Sequence, residues 1–252
     1  MPRTMLSDKL WQKLRPILLD LNIYDKPNLR NTLEGILFRM RNGCTWRDIP
    51  ETFGCHNTIF KTFRRWSKSH KFIQLFHNMV KQPDLKWVFI DGSYIRAHQH
   101  SSGACSESSE AIAKSRGGNT SKIHLAVDAH GNPIDFIISD GATHDVSIAP
   151  TLIERLELKE KKYICADKGY DSERLREQIR STGGAQANIP KKKNAKTSNK
   201  HMNWDVYKIR HLVENAFARL KHYRAIATRY DKLEQSFASM VALACAFIWL
   251  NL

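Results

Sequence analysis

Among the 25 acidic residues of this 252-residue chain, three stand where chemistry could be done. Asp91 follows the strand-forming run Trp87-Val88-Phe89-Ile90, and Asp167 follows Tyr163-Ile164-Cys165-Ala166, so each carboxylate is expected at the carboxyl end of a strand. Glu214 lies in the stretch 207–221, a helical pattern with an apolar stripe of Ile209, Val213, Ala216, Phe217 and Leu220. Beside it runs a charged stripe of Tyr207, Arg210, Glu214 and Lys221. Carboxylates gathered in one pocket repel one another, and they coexist when protonated or when a hard divalent cation such as Mg²⁺ or Mn²⁺ neutralises them. Such a site fits two-metal phosphoryl transfer, one ion activating the attacking oxygen and the other stabilising the leaving oxygen. Plainer readings stay open on these residues alone. Arg210 and Glu214, four apart, could pair on a solvated helix face, and acids reach strand ends by chance.

The elements that would position these groups fall into two textures. Up to about residue 83 the spacing is helical. Leu10, Trp11, Leu14, Ile17, Leu18 and Leu21 form one apolar set, which Pro16 is expected to kink or interrupt, and a second helix is expected over 29–40. A short segment at 45–49 follows, and then a helix opening at Asn57 as its cap. In that helix Ile59, Phe60, Phe63 and Trp66 make an apolar stripe beside the basic Lys61, Arg64, Arg65 and Lys68. This succession is how helix-turn-helix modules are spaced, with the last helix offered to DNA; a plain helical bundle with a solvated basic face is the competing reading.

From about residue 84 the pattern becomes short strands and helices. A hairpin is expected from 122–127 and 134–138, with Asp128 as a turn residue. Asp145 reads as the cap of a helix over 146–156, and Asp171 as the cap of one over 172–181. A further strand is expected over 185–189. Flexible loops are expected at about 99–121, where Ser and Gly accumulate around Arg116, and at about 190–203, where Lys191, Lys192 and Lys193 open a basic run. The order describes a mixed α/β sheet with helices packed on it. The domains are therefore set at 1–83, helical, and 84–252, α/β. Residues 237–250 are almost continuously apolar, but 14 residues fall short of the roughly 20 that span a bilayer, which makes them a buried core helix.

Charge points to a polyanionic partner. The formal net charge is +15, with a pI near 9.7. Residues 1–85 hold 15 Lys/Arg against 7 Asp/Glu, and residues 190–232 hold 12 against 3, leaving a near-neutral middle. The five cysteines, Cys44, Cys55, Cys105, Cys165 and Cys245, are scattered and never form a Cys-x-x-Cys pair, which suits reduced thiols in a cytosol. The first eight residues hold no apolar core for a signal peptide, so export is not expected. His98 and His100 have no cysteine or third histidine at the spacing a zinc site needs.

Tyr207, Arg210, Glu214 and Lys221 match, spacing for spacing, the Tyr-x2-Arg-x3-Glu-x6-Lys signature of bacterial insertion-sequence transposases of the DDE class. Ile90-Asp91-Gly92-Ser93, Ser115-Arg116-Gly117-Gly118, the stretch 127–133, His144-Asp145 and the stretch 166–171 resemble that superfamily's recurring blocks, in order. The stretch 42–50 and Arg64-Arg65-Trp66 are similar to the leading domain of the insertion-sequence-five family. The resemblance implies a ribonuclease-H-like catalytic fold behind a helix-turn-helix-like domain, Mg²⁺ (or Mn²⁺) dependence with two ions, and cut-and-paste DNA transposition at inverted-repeat ends. It makes Asp91, Asp167 and Glu214 the catalytic, metal-binding triad. Arg210 and Lys221 would hold phosphates or steady the carboxylate, and Tyr207 would stack or hydrogen-bond near the scissile strand. Lys61, Arg64, Arg65, Lys68, Arg116, Lys168 and Lys191 to Lys193 are the expected DNA contacts. Double-stranded DNA, as element ends and as target, is the implied partner, and pairing two ends implies at least a dimer in the working complex. Two other readings use the same fold: a DNA-binding regulator without chemistry, and a nuclease or resolvase acting on branched DNA.

Overall fold

A computed structural model of the chain describes residues 3–101, 110–156, 163–182, 184–193, 195 and 198–252. Four helices come first: α1 (Asp8–Asp20), α2 (Leu29–Asn42), α3 (His56–Lys68) and α4 (Lys71–Met79). Strand β1 (Trp87–Ala97) follows, then β2 (Ala113–Ser115), β3 (Gly118–Val127), β4 (Pro133–Asp140), α5 (Asp145–Arg155), β5 (Tyr163–Cys165), α6 (Glu173–Ser181) and β6 (Gln186–Asn188). After these come α7 (Trp204–Lys208), α8 (His211–Lys221), α9 (Arg224–Ala227), β7 (Thr228–Arg229) and α10 (Glu234–Leu250). The chain forms two compact units. One comprises Met1–Lys81, Arg96–Glu110 and Leu220–Leu252, and the other Gln82–Ile95 and Ala111–Arg219.

The first unit is built on helices. Leu33, Ile36, Leu37 and Met40 of α2, Ile59, Phe63 and Trp66 of α3, and Phe72, Leu75 and Phe76 of α4 are buried, as are most residues of α10. Helix α10 packs chiefly on α4, which makes the apolar run at 237–250 a core helix, and no helix among the described residues is long and apolar enough to cross a membrane. Lys61, Arg64, Arg65 and Lys68 stand exposed on α3. Two sequence expectations change here. Pro16 does not interrupt α1, because the proline and Gln12, whose carbonyl loses its intrahelical donor, both face solvent. Helix α3 begins at His56 with Cys55 in the cap position, so Asn57 lies inside the first turn and caps nothing.

The second unit is a mixed sheet in the order β4-β3-β1-β5-β6, with β2 also paired to β3. Strands β1, β5 and β6 are parallel, with Trp87 opposite Tyr163 and Cys165 opposite Asn188, while β3 and β4 form an antiparallel hairpin. Val88, Phe89, Ile90, Ile164 and Cys165 are fully buried, as central parallel strands require. Helix α5 packs on β3, β4 and α6. This is the ribonuclease-H-like mixed sheet with flanking helices that the resemblance implies. At the hairpin turn the Asp128 carboxylate accepts the N–H groups of His130 and Asn132, a turn role as expected.

Strand β1 is longer than the apolar run suggests. It continues past Asp91 to Ala97, because Tyr94, Ile95, Arg96 and Ala97 alternate exposed and buried at the period of a strand. Asp91 therefore sits within a strand and not at its end. The stretch expected as a loop at 99–121 opens on a 3-10 turn, Gln99–Ser101, and is again regular from residue 113 on. Strands β2 and β3 form a tight hairpin whose turn uses Gly118 at φ +90°, so Ser and Gly enrichment marked an edge hairpin; the remainder of the Ser-rich run, 102–109, lies outside the described residues. The start of the basic run near 190 is held in place as well. The Lys191 amide donates to Asn199 Oδ1 and the Lys192 amide to Asp171 Oδ2, both at 2.8 Å.

Candidate active site

The stretch 207–221 is two helices rather than one. Around Ile209 and Arg210 the backbone tightens to i→i+3 bonds, Arg210 N–H to the Tyr207 carbonyl and Val213 N–H to the Arg210 carbonyl, which ends α7 and starts α8. Arg210 sits at this break. From there its Nη1 donates to Asp91 Oδ2 at 3.0 Å and its Nη2 to Glu214 Oε1 at 2.5 Å. One guanidinium thus holds a carboxylate of the sheet and a carboxylate of the helix. Val213, Ala216, Phe217 and Leu220 are buried and fix α8, while Ile209 of the expected stripe is only half-buried. At the foot of α8 the Arg219 guanidinium caps the Gly131 carbonyl of the β3–β4 turn.

Asp91 is three-quarters buried, and its Oδ1 accepts the N–H of Gly92 at 2.8 Å. Burial pushes its carboxyl upward, and the negative charges of Asp167 and Asp145 push the same way, against the Gly92 N–H and Arg210. Asp167 stands two residues beyond β5, where its Oδ1 accepts the Gly169 N–H at 2.7 Å. Tyr170, packed beneath, reports the same gathering of charge. Burial first, then the carboxylates of Asp145, Asp91 and Asp167, hold its hydroxyl well above the ordinary tyrosine value.

Asp145 is the neighbour that sequence reasoning misplaced. It lies in the first turn of α5 behind His144, and its carboxylate does not cap the helix. Instead Oδ1 meets Lys122 Nζ at 3.2 Å and His124 Nδ1 at 3.4 Å, both side chains being almost fully buried on β3. A Cβ on Gly92 would lie 2.2 Å from that oxygen, so only glycine lets Asp145 approach β1 beside Asp91. Lys122 Nζ also donates to the Thr143 carbonyl and sits over the Tyr94 ring. Burial lowers the His124 imidazole to about 4, keeping it neutral at ordinary pH, with its Nε2 2.8 Å from Ser139 Oγ. The recurring pair His144-Asp145 was the available signal, and the capping rule obscured it.

Asp171, expected as a cap, is also used otherwise. Ser172 holds the cap position of α6, and Asp171 accepts from Arg176 Nη2 at 2.9 Å. Tyr207 is half-buried edge-on to Trp204, and burial lowers the Lys221 ammonium. Arg116, Lys168, Lys192 and Lys193 are exposed, and Lys191 is tied to Glu173 at 3.0 Å. Among the described residues, no three His, Cys, Asp or Glu side chains stand close enough to share one ion in this arrangement, with Arg210 occupying oxygens of both Asp91 and Glu214. The donor set nevertheless fits a hard cation. It consists of carboxylate oxygens, and Asp91, raised chiefly by burial, also feels the charges of Asp167 and Asp145.

A mixed sheet that brings the charges of Asp91, Asp145 and Asp167 within reach of one another suits metal-dependent phosphoryl transfer. Residues 83–249 match the family described as "Transposase DDE domain", and residues 6–76 match a family described under transposases of the IS4/5 family. The chain belongs to the DDE transposases, DNA-transposing polynucleotidyl transferases that use a divalent metal. A Brucella ovis protein named for the transposase of insertion sequence element IS6501 is 39% identical over 132 residues, 52% of this chain and 99% of that protein. A Burkholderia cepacia protein named for the transposase of IS402 is 29% identical over 140 residues, 52% of this chain and 63% of that protein. Among solved structures, the piggyBac transposase synaptic complex with hairpin DNA aligns at 10% identity and TM-score 0.42, over 75% of this chain and 50% of that one. A pre-cleavage Mos1 transpososome aligns at 11% identity and TM-score 0.30, over 90% and 80%.

Proposed function

We propose that Asp91, Asp167 and Glu214 are the carboxylate triad of this transposase, and that they hold Mg²⁺ (or Mn²⁺) as a pair of ions. The observation that carries this reading is the Arg210 guanidinium, which draws Asp91 and Glu214 to one place from a strand and a helix, beside the negative field of Asp167. When bound, the ions supply activation of the attacking oxygen and stabilisation of the leaving one. The chain's own residues do the rest. Arg210 sets the separation of Asp91 and Glu214 and offers donors to a phosphate, for which its planar fork is suited. Lys221 adds positive charge further along α8, and Tyr207 lies against the strand being cut. Lys168, Arg116 and Lys191 to Lys193 hold the DNA backbone near the carboxylates.

The division of labour in this reading is a DNA-gripping domain at 1–83, with Lys61, Arg64, Arg65 and Lys68 of α3 on the duplex, and a catalytic domain at 84–252. The enzyme cuts at the inverted-repeat ends of its insertion sequence and joins the freed 3′ hydroxyls to target DNA, acting as a dimer or larger assembly on the nucleoid. The test is incubation of the protein with DNA carrying its element's ends and Mg²⁺. Nicks at the ends and strand-transfer products are expected; their absence with every candidate end would refute the reading.

A further inference from the structure

Arg210 ties Asp91 to Glu214, whereas among the described residues the Asp167 carboxylate accepts only the Gly169 N–H. Another group must register the helices that carry Arg210 and Glu214 against the strand that leads to Asp167. We propose that this group is the side-chain amide of Asn188, a positioning residue for the reaction that acts through Arg210. The proposal rests on the triad reading and adds a residue with no exposed surface, which touches neither metal nor DNA.

The amide does what a peptide group would do. Asn188 closes β6 and lies opposite Cys165 in the parallel ladder. Its Oδ1 accepts the Asn203 N–H and its Nδ2 donates to the Asn203 carbonyl, both at 2.9 Å, with Cys165 Sγ 3.5 Å from the same nitrogen. A side-chain amide offers an acceptor and a donor next to each other, so Asn188 extends the bonding of the sheet to a residue that belongs to no strand. Leucine has similar bulk and makes neither bond. Aspartate has no donor, and glutamine is one methylene longer.

From Asn203 the bonds run on toward the carboxylates. The same carbonyl accepts the Tyr207 N–H at 3.0 Å, and Asn203 Oδ1 accepts the Val206 N–H at 3.1 Å, so this residue both caps α7 and fastens it to the sheet. Helix α7 has five residues, too few to be stable alone, and its place depends on what holds its ends. The Tyr207 carbonyl in turn accepts the Arg210 N–H at 3.0 Å, at the break from which the guanidinium reaches Asp91 and Glu214.

The sheet supplies the other half of the register. Cys165 pairs with Phe89 of β1 as well as with Asn188, and Asp167 and Asp91 each follow two residues beyond that pair. The strands therefore place Asp91 against Asp167, and the Asn188 amide places Arg210 and Glu214 against both.

The test is a double-mutant cycle on the full chain, read as the single-turnover rate of strand transfer with end-containing DNA at saturation. Asn188→Leu and Arg210→Ala are each expected to slow the reaction by about ten-fold or more, as a small displacement of reacting groups does, with DNA binding unchanged. The double variant should be no more than about two-fold slower than the slower single variant, because both changes break one path. Effects that multiply would make Asn188 a structural residue only and overturn the proposal, as would a wild-type rate for Asn188→Leu. Hydrogen exchange without DNA or metal gives a readout independent of activity. Amides of 204–210 should exchange faster in Asn188→Leu while the β3–β4 hairpin is unchanged, and unaltered exchange at 204–210 would also overturn the proposal. If Asn188→Leu does not fold, Asn203→Ala removes the cap on Val206 alone; it should slow strand transfer and show the same non-additivity with Arg210→Ala, and a wild-type rate would overturn the proposal. A wild-type chain that transfers no strand would refute the triad reading itself, and this proposal with it.

Discussion

Asp91 and Glu214 share one guanidinium, with Arg210 donating to the strand carboxylate at 3.0 Å and to the helix carboxylate at 2.5 Å. The arrangement makes Arg210 both an organiser of the site and a competitor for the oxygens that a cation would use. Arg210→Ala is expected to reduce strand transfer by at least ten-fold. The same change should tighten Mn²⁺ binding measured by calorimetry, because two carboxylates lose their internal counter-charge. Weaker metal binding in the variant would mean that Arg210 does not face the metal site.

The two faces of α8 should separate fold from chemistry. Val213 is fully buried and Phe217 nearly so, whereas the Glu214 side chain is 55% exposed. Val213→Asp or Phe217→Asp introduces a charge without a partner and is expected to destabilise by about 3 kcal/mol or more. Thermal melts should show this loss. They should show a shift of no more than a few degrees for Glu214→Gln.

These two faces were legible in the sequence, since a 3.6-residue period separates Val213, Ala216, Phe217 and Leu220 from Arg210, Glu214 and Lys221. The hairpin at β3–β4 was legible from its turn residues, the strands near Asp91 and Asp167 from runs of strand formers, and the core helix α10 from the length of its continuous apolar run. What the period could not give was the use of polar side chains. Asp145 and Asp171 read as caps, yet each spends its carboxylate on a buried cation, Asp145 on Lys122 of β3 and Asp171 on Arg176 of the helix that follows it. The break at Arg210 was equally hidden, because no glycine or proline marks it. Only the tertiary pairing with Asp91 shows what the break accomplishes.

Gly92 is the point at which Asp145 closes on the site. Gly92→Ala would set a Cβ 2.2 Å from Asp145 Oδ1 and must displace that carboxylate. Cleavage is expected to fall by an order of magnitude or more, with circular dichroism unchanged. Asp145→Asn leaves Lys122 buried beside a neutral partner and should cost about 1–3 kcal/mol in urea denaturation, less than a fully buried pair because Asp145 is one-third exposed. Wild-type cleavage by Gly92→Ala would remove Asp145 from the account.

Asp171 supplies a test in pH. Burial would raise its carboxyl, but the Arg176 hydrogen bond, the Lys192 amide and the charges of Arg176 and Lys191 outweigh this and hold it below the usual carboxylate value. A carboxyl depressed in the folded state contributes stability that is fully present above the unfolded value of about 4 and is lost as pH falls through the lower folded value. Asp171→Asn should therefore melt below wild type at pH 7. The gap should narrow toward pH 3, and an equal gap at both pH values would contradict the assignment.

The central claim is that Asp91, Asp167 and Glu214 act together on the scissile phosphate. The direct measurement is cleavage of end-containing DNA in Mg²⁺ by Asp91→Asn, Asp167→Asn and Glu214→Gln, with duplex binding assayed in parallel. The account predicts that each variant binds DNA within about two-fold of wild type and yields no nick or strand-transfer product. Cleavage at the wild-type rate by any one of them would contradict it.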